Sequence, residues 1–318
     1  MNDGKKLLGA VIEKRFKLEN VIGRGGLSTV YKGRHEKAGF QVAVKVLHSD
    51  YSDTEESRER FKREATIINN LNHPNIVHMY SFGFLSDLTE GLEAKYSPGK
   101  DPLPYLVLEH LEGFGLDTIL DERTRLNEKL AYRIIAGVME GLQFAHDMGI
   151  IHRDIKPSNV MIIDELSDSD KSYPGPFSQH VKLLDFGIAK CNKCHDERPT
   201  MQLTQPGFVF GSPLYMSPEQ CKGLEVDHRS DIYSLGCMYY EMLCGDPPFK
   251  GESAVHTFAM HLYEVPVPLT QTRTDGAVSP ELNDIVMKCL AKDPNERWRS
   301  VSQLRQALKD LYRTAQGV

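Results

Sequence analysis

The stretch IHRDIKPSNVMI, residues 151–162, places an Asp, a Lys two residues later and an Asn five residues later between apolar residues. Charged groups are costly to bury, so a chain rarely concentrates them beside apolar sequence without a use for them. Asp154 supplies a carboxylate, Lys156 a cation and Asn159 a neutral amide oxygen. The spacing therefore indicates a chemical site, and the rest of the sequence must supply its other parts.

The composition limits the classes of protein to be considered. The chain has 318 residues and a net charge of -6, with 40% hydrophobic and 26% charged residues. This balance is typical of one large globular domain or two smaller ones, and the mild acidity disfavours a nucleic-acid binder. No stretch approaches the ~18 apolar residues that a membrane span needs. The first residues do not resemble a secretory leader. We therefore expect a cytosolic protein with reduced cysteines, or the cytosolic part of a longer, membrane-anchored chain.

Strand patterns dominate the first hundred residues and helix patterns the remainder. QVAVKVLH, residues 41–48, alternates apolar and polar side chains, with Lys45 on the polar face. EKLAYRIIAGVMEGLQFAHDMG, residues 128–149, repeats apolar residues at helical spacing and ends at a glycine typical of a C-cap. The patterns predict a strand-rich part and a helix-rich part joined near residues 109–113. Polar stretches at residues 86–103 and 164–180 indicate surface insertions.

Three further features could carry chemistry. IGRGGLSTV, residues 22–30, is a glycine-rich stretch between two strands; alone it is weak, because a plain tight turn has the same pattern. Lys45 and Glu64 could form a pair that holds an ammonium group for a phosphate, although each could equally be a solvated surface charge. Asp185 follows an apolar strand and precedes Phe186 and a glycine, where a carboxylate can bind a hard cation.

Taken in order, these motifs resemble those of the eukaryotic-type, or Hanks-type, serine/threonine protein kinases, and most closely the bacterial ones. The resemblance covers residues 16–311 and rests on IGRGGLSTV, VAVK, Glu64, HPNIV, HRDIKPSN, DFG, GSPLYMSPEQ, DIYSLG and DPNERW. It implies an α+β fold of two lobes: a five-stranded antiparallel sheet with one helix in residues 16–108, a hinge at residues 109–113 and a helical lobe in residues 114–318. Residues 1–15 are then an N-terminal extension.

The resemblance also implies a role for individual positions. It assigns ATP binding to Ile22, Gly23, Gly25, Gly26, Val30, Ala43, Lys45, Glu64, Glu109 and Leu111, with Leu108 as gatekeeper. It makes Asp154 the catalytic base, Lys156 a contact of the γ-phosphate, and Asn159 and Asp185 the ligands of Mg²⁺, or of Mn²⁺ in its place. It implies structural roles for Arg153, Glu219, Asp231 and Arg297, with Glu219 paired to Arg297 and Asp231 bracing the catalytic loop.

Regulation is implied by the arginine before the catalytic Asp. A buried Arg153 needs an anion, which a phosphate on the segment of residues 185–219 supplies in similar kinases. We expect autophosphorylation at Thr204 first and Thr200 second. The sequence departs from the family's pattern at Ser212, where a Thr is usual, and the hydroxyl is retained.

The stretch CNKCH, residues 191–195, leaves several interpretations open. Its spacing formally matches haem attachment, which a reducing compartment disfavours, and a zinc site would need a further ligand such as Cys221. A redox switch between Cys191 and Cys194 is a third hypothesis, and two ordinary loop cysteines are the fourth.

Three functional hypotheses remain. An active kinase would phosphorylate Ser and Thr of protein substrates and of itself, as a monomer or weak dimer without nucleic acid. A pseudokinase scaffold is disfavoured because Lys45, Glu64, Asp154, Asn159 and Asp185 are all present. A small-molecule kinase is disfavoured by GSPLYMSPEQ, which resembles a peptide-docking segment.

Overall fold

The computed structural model describes residues 7–26, 28–48, 55–85, 103–163, 180–186, 213–276 and 278–315. The chain divides into two compact units. The first comprises Met1–Asn72 and Val77–Glu112, and the second comprises His73–Ile76 and Gly113–Val318. The first carries most of the strands and the second most of the helices, so the α+β class expected from the patterns is confirmed.

The first unit is built on an antiparallel sheet of strand order β1-β2-β3-β4-β6-β5. Its elements are β1 (Val11–Ile12), β2 (Phe16–Arg24), β3 (Ser28–His35), β4 (Gln41–Leu47), α1 (Glu55–Asn69), β5 (Met79–Phe84) and β6 (Pro104–Glu109).

Alternation along the strands explains the core of this unit. Val42, Val44 and Val46 of β4 are at most 2% exposed, as the period of two requires for one buried face. Helix α1 buries Phe61 and Ala65, and the ring of Phe61 packs edge-on against Phe84 of β5 at 5.3 Å. Each of these valine and phenylalanine side chains contributes about 1.5–3 kcal/mol by leaving water.

The described sheet has six strands: the five expected in residues 16–108, and one more that precedes them. The additional strand β1 comes from the expected N-terminal extension and pairs with the start of β2. Left-handed backbone at Glu13 (φ 51°) and Lys14 (φ 54°) turns the chain between the two strands. Ile12 is 1% exposed, and the Glu13 carboxylate accepts hydrogen bonds from the hydroxyls of Tyr105, at 2.9 Å, and Ser81. Burial acts to raise the pKa of Glu13, but these bonds and Arg15 outweigh it and lower that pKa.

The second unit is mainly helical, with one small sheet. Its strands are β7 (Phe114–Gly115), β8 (Val160–Ile162) and β9 (Val181–Leu183), paired antiparallel in that order. Its helices are α2 (Leu116–Arg123), α3 (Glu128–Asp147), α4 (Pro218–Cys221), α5 (His228–Cys244), α6 (Ala254–Tyr263), α7 (Leu269–Thr272), α8 (Pro280–Cys289) and α9 (Val301–Ala315).

Two long helices organise the core of the second unit. The apolar face predicted for α3 is buried, and Gly149 adopts the left-handed conformation (φ 74°) expected just beyond its end. Helix α5 is apolar almost all round and buried along most of its length, from an Asp227 N-cap to Gly245 at φ 95°. Among the described residues, no helix combines the length and apolar character that crossing a bilayer would require.

Residues 73–76 belong to the second unit although the first unit continues on both sides of them in sequence. The backbone N–H of Leu183 donates to the carbonyl oxygen of Asn75 at 2.8 Å. The Asn75 amide donates to the carbonyl oxygen of Val181, also at 2.8 Å. This segment therefore lies along β9.

Candidate active site

The small sheet of the second unit brings Asn159 and Asp185 near one another. Asn159 immediately precedes β8, and one residue, Leu184, separates Asp185 from the end of β9. The strands are antiparallel, with Val160 opposite Leu183, so the start of β8 lies beside the end of β9. The backbone N–H of Leu184 donates to the carbonyl oxygen of Asn159 at 2.9 Å, which fixes this arrangement.

Asp154, Lys156 and Asn159 form a hydrogen-bonded group in the loop between α3 and β8. The Asn159 amide nitrogen donates to the Asp154 carboxylate at 3.0 Å and to its backbone oxygen at 2.8 Å. The Lys156 ammonium lies 3.0 Å from the same carboxylate oxygen. These contacts orient the carboxylate, and since the amide is planar, they turn the amide oxygen of Asn159 away from Asp154.

Asp231 holds this loop from α5. Its carboxylate is 1% exposed and accepts the backbone N–H groups of His152 and Arg153, each at 2.8 Å. The ring of His146 lies 2.8 Å from the same carboxylate. Arg153 is left-handed, at φ 64°, which is uncommon for a residue with a Cβ. The bonds to Asp231 therefore stabilise a backbone conformation that the residue would not prefer.

His152 links the loop to the residues after β9. It is fully buried, and its Nε2 lies 2.8 Å from the carbonyl oxygen of Leu184. A carbonyl oxygen only accepts, so Nε2 carries the proton. Burial lowers the pKa of His152, which keeps the ring neutral. His152 thus connects the backbone beside Asp154 to the residue before Asp185.

Glu219 and Arg297 form a buried bidentate ion pair. The two guanidinium nitrogens lie 2.7 and 2.8 Å from the two carboxylate oxygens. The arginine also donates to three backbone carbonyls, so its five N–H groups are all used. Burial acts to raise the pKa of Glu219, but Arg297 and the Ser230 hydroxyl outweigh it and lower that pKa.

The glycine-rich stretch lies at the turn between β2 and β3 in the first unit. Ile22 is 49% exposed, Gly23 pairs with Val30 across the hairpin, and the Gly25 N–H donates to the Ser28 carbonyl at 2.9 Å. A Cβ at Gly23 would meet only ordinary contact with Val30, at 3.6 Å. At Gly25 the nearest atom would be 3.9 Å away, and at Gly26 nothing lies within 4 Å.

None of these three glycines has the positive φ that would itself require glycine. The described part of the chain therefore gives no internal reason for them. Side-chain-free backbone at an open turn is instead what the close approach of a phosphate group requires. Leu27 lies outside the described residues.

The other residues expected to bind ATP are spread over the first unit. Lys45 is half-buried on β4, opposite Val30, and Ala43 pairs with Leu108 of β6. Glu64 is half-buried on α1, and a bond between Lys45 and Glu64 stays a prediction. Leu111 follows β6.

Glu109, at the end of β6, uses its backbone N–H within its own unit. That N–H donates to the carbonyl oxygen of His78 at 2.8 Å, and the Glu109 side chain accepts from the His78 N–H, also at 2.8 Å. Any contact of Glu109 with an adenine edge would therefore involve its carbonyl oxygen.

Several predicted positions fall on residues that the structure does not describe. These are Gly187, Thr200, Thr204, Ser212, the Cys191–Cys194 pair and nearly all of both insertions. Cys221, the suggested further zinc ligand, is described: it is buried on α4, and burial raises the pKa of its thiol to about 12. Within the described ranges no group of three or more His, Cys, Asp or Glu side chains could hold a metal.

The sequence patterns missed several residues that support the site. His146 contacts Asp231, and the Gln220 amide donates to the Arg153 carbonyl at 3.0 Å. Neither could be identified from spacing, because each partner lies more than 60 residues away in sequence. His152 lies within the motif HRDIKPSN, but neither the spacing nor the resemblance predicts a role for it.

Two of the predicted positions carry oxygen atoms of the kind that a hard divalent cation binds. Asn159 has an amide oxygen turned away from Asp154, and Asp185 has a carboxylate. The backbone hydrogen bond from Leu184 to Asn159 keeps the two residues near one another. A magnesium ion commonly takes only one or two protein oxygens and completes its shell with water and phosphate. The two oxygens predicted from Asn159 and Asp185 would therefore be sufficient, and a larger cluster is not required.

Comparison with known proteins gives matches over almost the whole chain. The protein kinase domain family matches residues 16–312. The chain is 35% identical to the serine/threonine-protein kinase pkn3 of Myxococcus xanthus, over 96% of this chain and 52% of that protein. It is 38% identical to the serine/threonine-protein kinase PknB of Mycolicibacterium smegmatis, over 96% of this chain and 44% of that protein. The chain thus spans about half the length of these curated relatives.

Solved structures agree on the fold. The kinase domain of PknI from Mycobacterium tuberculosis matches with a TM-score of 0.68 and 22% identity, covering 96% of this chain and 98% of that one. Rad53 (residues 1–466), solved in complex with AMP-PNP, matches with a TM-score of 0.68 and 24% identity, covering 93% of this chain and 65% of that one. At these identities the likeness establishes a shared fold.

Proposed function

The chain belongs to the protein kinase domain family, and we propose that it transfers the γ-phosphate of ATP to Ser and Thr hydroxyls of proteins. Members of this family use ATP with a divalent metal ion. We assign the kinase domain to residues 16–318, with parts at residues 16–108 and 114–318 and a hinge at residues 109–113. The two curated relatives described above carry the same serine/threonine specificity in their names.

The group of Asp154, Lys156 and Asn159 carries this proposal. One carboxylate oxygen of Asp154 is held by both neighbours, so the carboxylate is oriented before a substrate arrives. Lys156 is also the residue type found at this position in serine/threonine kinases. A pseudokinase or a purely structural loop would have no need for this orientation.

The chemistry follows from these groups. A substrate hydroxyl oxygen forms a bond to the γ-phosphorus while the bond to the β-phosphate oxygen breaks. Asp154 accepts the hydroxyl proton, and Lys156 stabilises charge on the transferred phosphoryl group. Asp231 and His152 keep the loop backbone fixed during the step, so no reorganisation is needed.

Asn159 and Asp185 would hold the divalent ion, which we propose is Mg²⁺, with Mn²⁺ as a substitute. A bound ion neutralises phosphate charge and orients the triphosphate. In the first unit, the turn of Gly23, Gly25 and Gly26 would cover the phosphates, and Lys45, aligned by Glu64, would bind them. Ile22, Val30, Ala43, Glu109 and Leu111 would contact the nucleoside.

Phosphate transfer from radiolabelled ATP to a generic protein substrate tests the proposal. We expect Mg²⁺-dependent labelling, with mass spectrometry placing the phosphate on Ser or Thr. Asp154→Asn should reduce transfer by about a thousandfold or more while ATP binding persists. ATP binding without any transfer by the wild type would instead support a scaffold function, and labelling of small molecules alone would contradict the protein substrate.

We also propose that the chain phosphorylates itself at Thr204, with Thr200 as the second site. Arg153, beside the catalytic Asp, is the group that a phosphate would contact. Phosphopeptide mapping after incubation with Mg²⁺ and ATP tests this, and an active sample with unmodified Thr204 would contradict it.

We propose that the chain acts in the cytosol, where ATP is available and the four described free cysteines stay reduced. We also propose that it is a monomer or a weak dimer.

A further inference from the structure

One histidine of the first unit bonds through both ring nitrogens to the glycine-rich hairpin. The Nδ1 atom of His48 lies 3.1 Å from the carbonyl oxygen of Gly26. Its Nε2 atom lies 3.1 Å from the hydroxyl of Thr29. His48 follows the last residue of β4, whereas Gly26 lies in the turn between β2 and β3 and Thr29 lies in β3. The ring therefore ties the end of β4 to this turn and to β3.

A single neutral tautomer satisfies both bonds. The carbonyl oxygen of Gly26 can only accept, so Nδ1 carries the proton and donates to it. Nε2 is then an acceptor, and the Thr29 hydroxyl donates to it. Thr29 is 6% exposed, so its hydroxyl is held in place by the sheet around it.

Between the paired residues of β2 and β3, the Gly25 N–H donates to the Ser28 carbonyl. A Cβ built at Gly26 would meet no atom within 4 Å. Glycine backbone loses more conformational freedom on ordering than any other. A bond to the Gly26 carbonyl therefore restrains a glycine that has open space beside it.

We propose that His48 is a positioning residue that holds the glycine-rich turn, through Gly26 and Thr29, in the conformation that meets the phosphates of ATP. This inference rests on the proposed function. It adds a residue to which the family motifs assign no role, since His48 lies three positions beyond the VAVK motif. It predicts an effect on phosphate recognition and none on recognition of the nucleoside.

Four variants separate the two bonds. His48→Asn keeps an amide donor near the position of Nδ1 and can still bond to the Gly26 carbonyl. His48→Gln keeps a polar group near Nε2 and can still bond to Thr29, and His48→Ala keeps neither. His35→Ala is the matched control, because His35 lies at the other end of β3 and packs on the rings of Phe16 and Phe40.

The experiment measures dissociation constants of Mg²⁺–ATP and of adenosine by calorimetry, with steady-state kinetics on the same proteins. His48→Ala should weaken ATP binding about five- to tenfold and change adenosine binding by less than about twofold. The KM for ATP should rise by a similar factor, with kcat at saturating ATP and the KM for protein substrate unchanged. His48→Asn should recover most of the loss and His48→Gln little, while His35→Ala should match the wild type.

Three results would overturn the inference without affecting the proposed function. Two of them are a wild-type affinity for ATP in His48→Ala, and equal losses for ATP and adenosine, which a general structural role would produce. Recovery by His48→Gln rather than His48→Asn would also overturn it, because the bond to Gly26 would then be irrelevant. A wild type that binds no Mg²⁺–ATP would refute the proposed function itself, before any variant is compared.

Discussion

Replacement of Glu219 by Gln should strongly destabilise the second unit. The change keeps the shape of the side chain and removes its charge, leaving the guanidinium of Arg297 without a carboxylate in a place where that side chain is 0% exposed. Removing one partner of a buried ion pair costs about 3–5 kcal/mol, because the remaining charge is poorly solvated. The Arg297 bonds to three backbone carbonyls persist, so the loss should arise from the missing charge.

Urea unfolding followed by tryptophan fluorescence measures this loss. Trp298 is the single tryptophan, it neighbours Arg297, and its indole N–H donates to the Ile285 carbonyl at 3.1 Å. With a slope of about 2–3 kcal/mol per molar urea, the midpoint should fall by about 1–2.5 M. Because the pKa of Glu219 is below 4.5 in the folded chain, its contribution is complete above pH 4.5 and is lost as the pH falls through that lowered pKa.

The matched control is Asp246→Asn. Asp246 pairs with Lys250 at 2.9 Å, but the two side chains are 72% and 65% exposed, so the change should cost less than about 1 kcal/mol. A similarly small loss for Glu219→Gln would refute the reasoning. So would a difference between Glu219→Gln and wild type that stays constant far below pH 4.5.

Three further outcomes concern stability and nucleotide binding. Burial lowers the pKa of His261 from 6.5 to about 4. As the pH drops, the unfolded chain therefore binds the proton first, and the free energy of unfolding should fall by roughly 3 kcal/mol between these two pKa values. Urea unfolding at a series of pH values measures this dependence, which His261→Asn should flatten. Deleting residues 1–12 removes buried Leu7 and Ile12 and should lower the Tm of the first unit in calorimetry; an unchanged Tm would contradict their packing role. Lys45→Met should weaken ATP binding at least about tenfold with little change in Tm, and equal affinity would exclude Lys45 from phosphate binding.

The long helices and strands could be predicted from the sequence, because burying one face of an element imposes a regular spacing of apolar residues. The alternation in residues 41–48 and the helical repeat in residues 128–149 both reflect side chains that must leave water. β1 could not be predicted in this way, since two residues have no period and their pairing depends on a turn with left-handed backbone at Glu13 and Lys14.

The sequence motifs include most residues of the candidate site, but not the residues that hold its loop in place. Asp154, Asn159 and Asp185 are polar residues next to apolar stretches, so they can be identified from the sequence alone. The bonds from His146 and Gln220 depend on partners distant in sequence, and a lone His or Gln on a helix has no distinguishing pattern. His48 could not be identified either, because it follows an ordinary alternating strand and its partners Gly26 and Thr29 lie on other parts of the sheet.

The placement of residues 73–76 has a practical consequence for dissecting the protein. The polypeptide passes from the first unit to the second, returns, and passes over again near residue 112. A fragment beginning at Gly113 would lack the peptide segment that satisfies the Leu183 amide and the Val181 carbonyl. No single cleavage point yields two self-sufficient halves, so domain-swapping or split-reporter designs should carry residues 73–76 with the C-terminal piece.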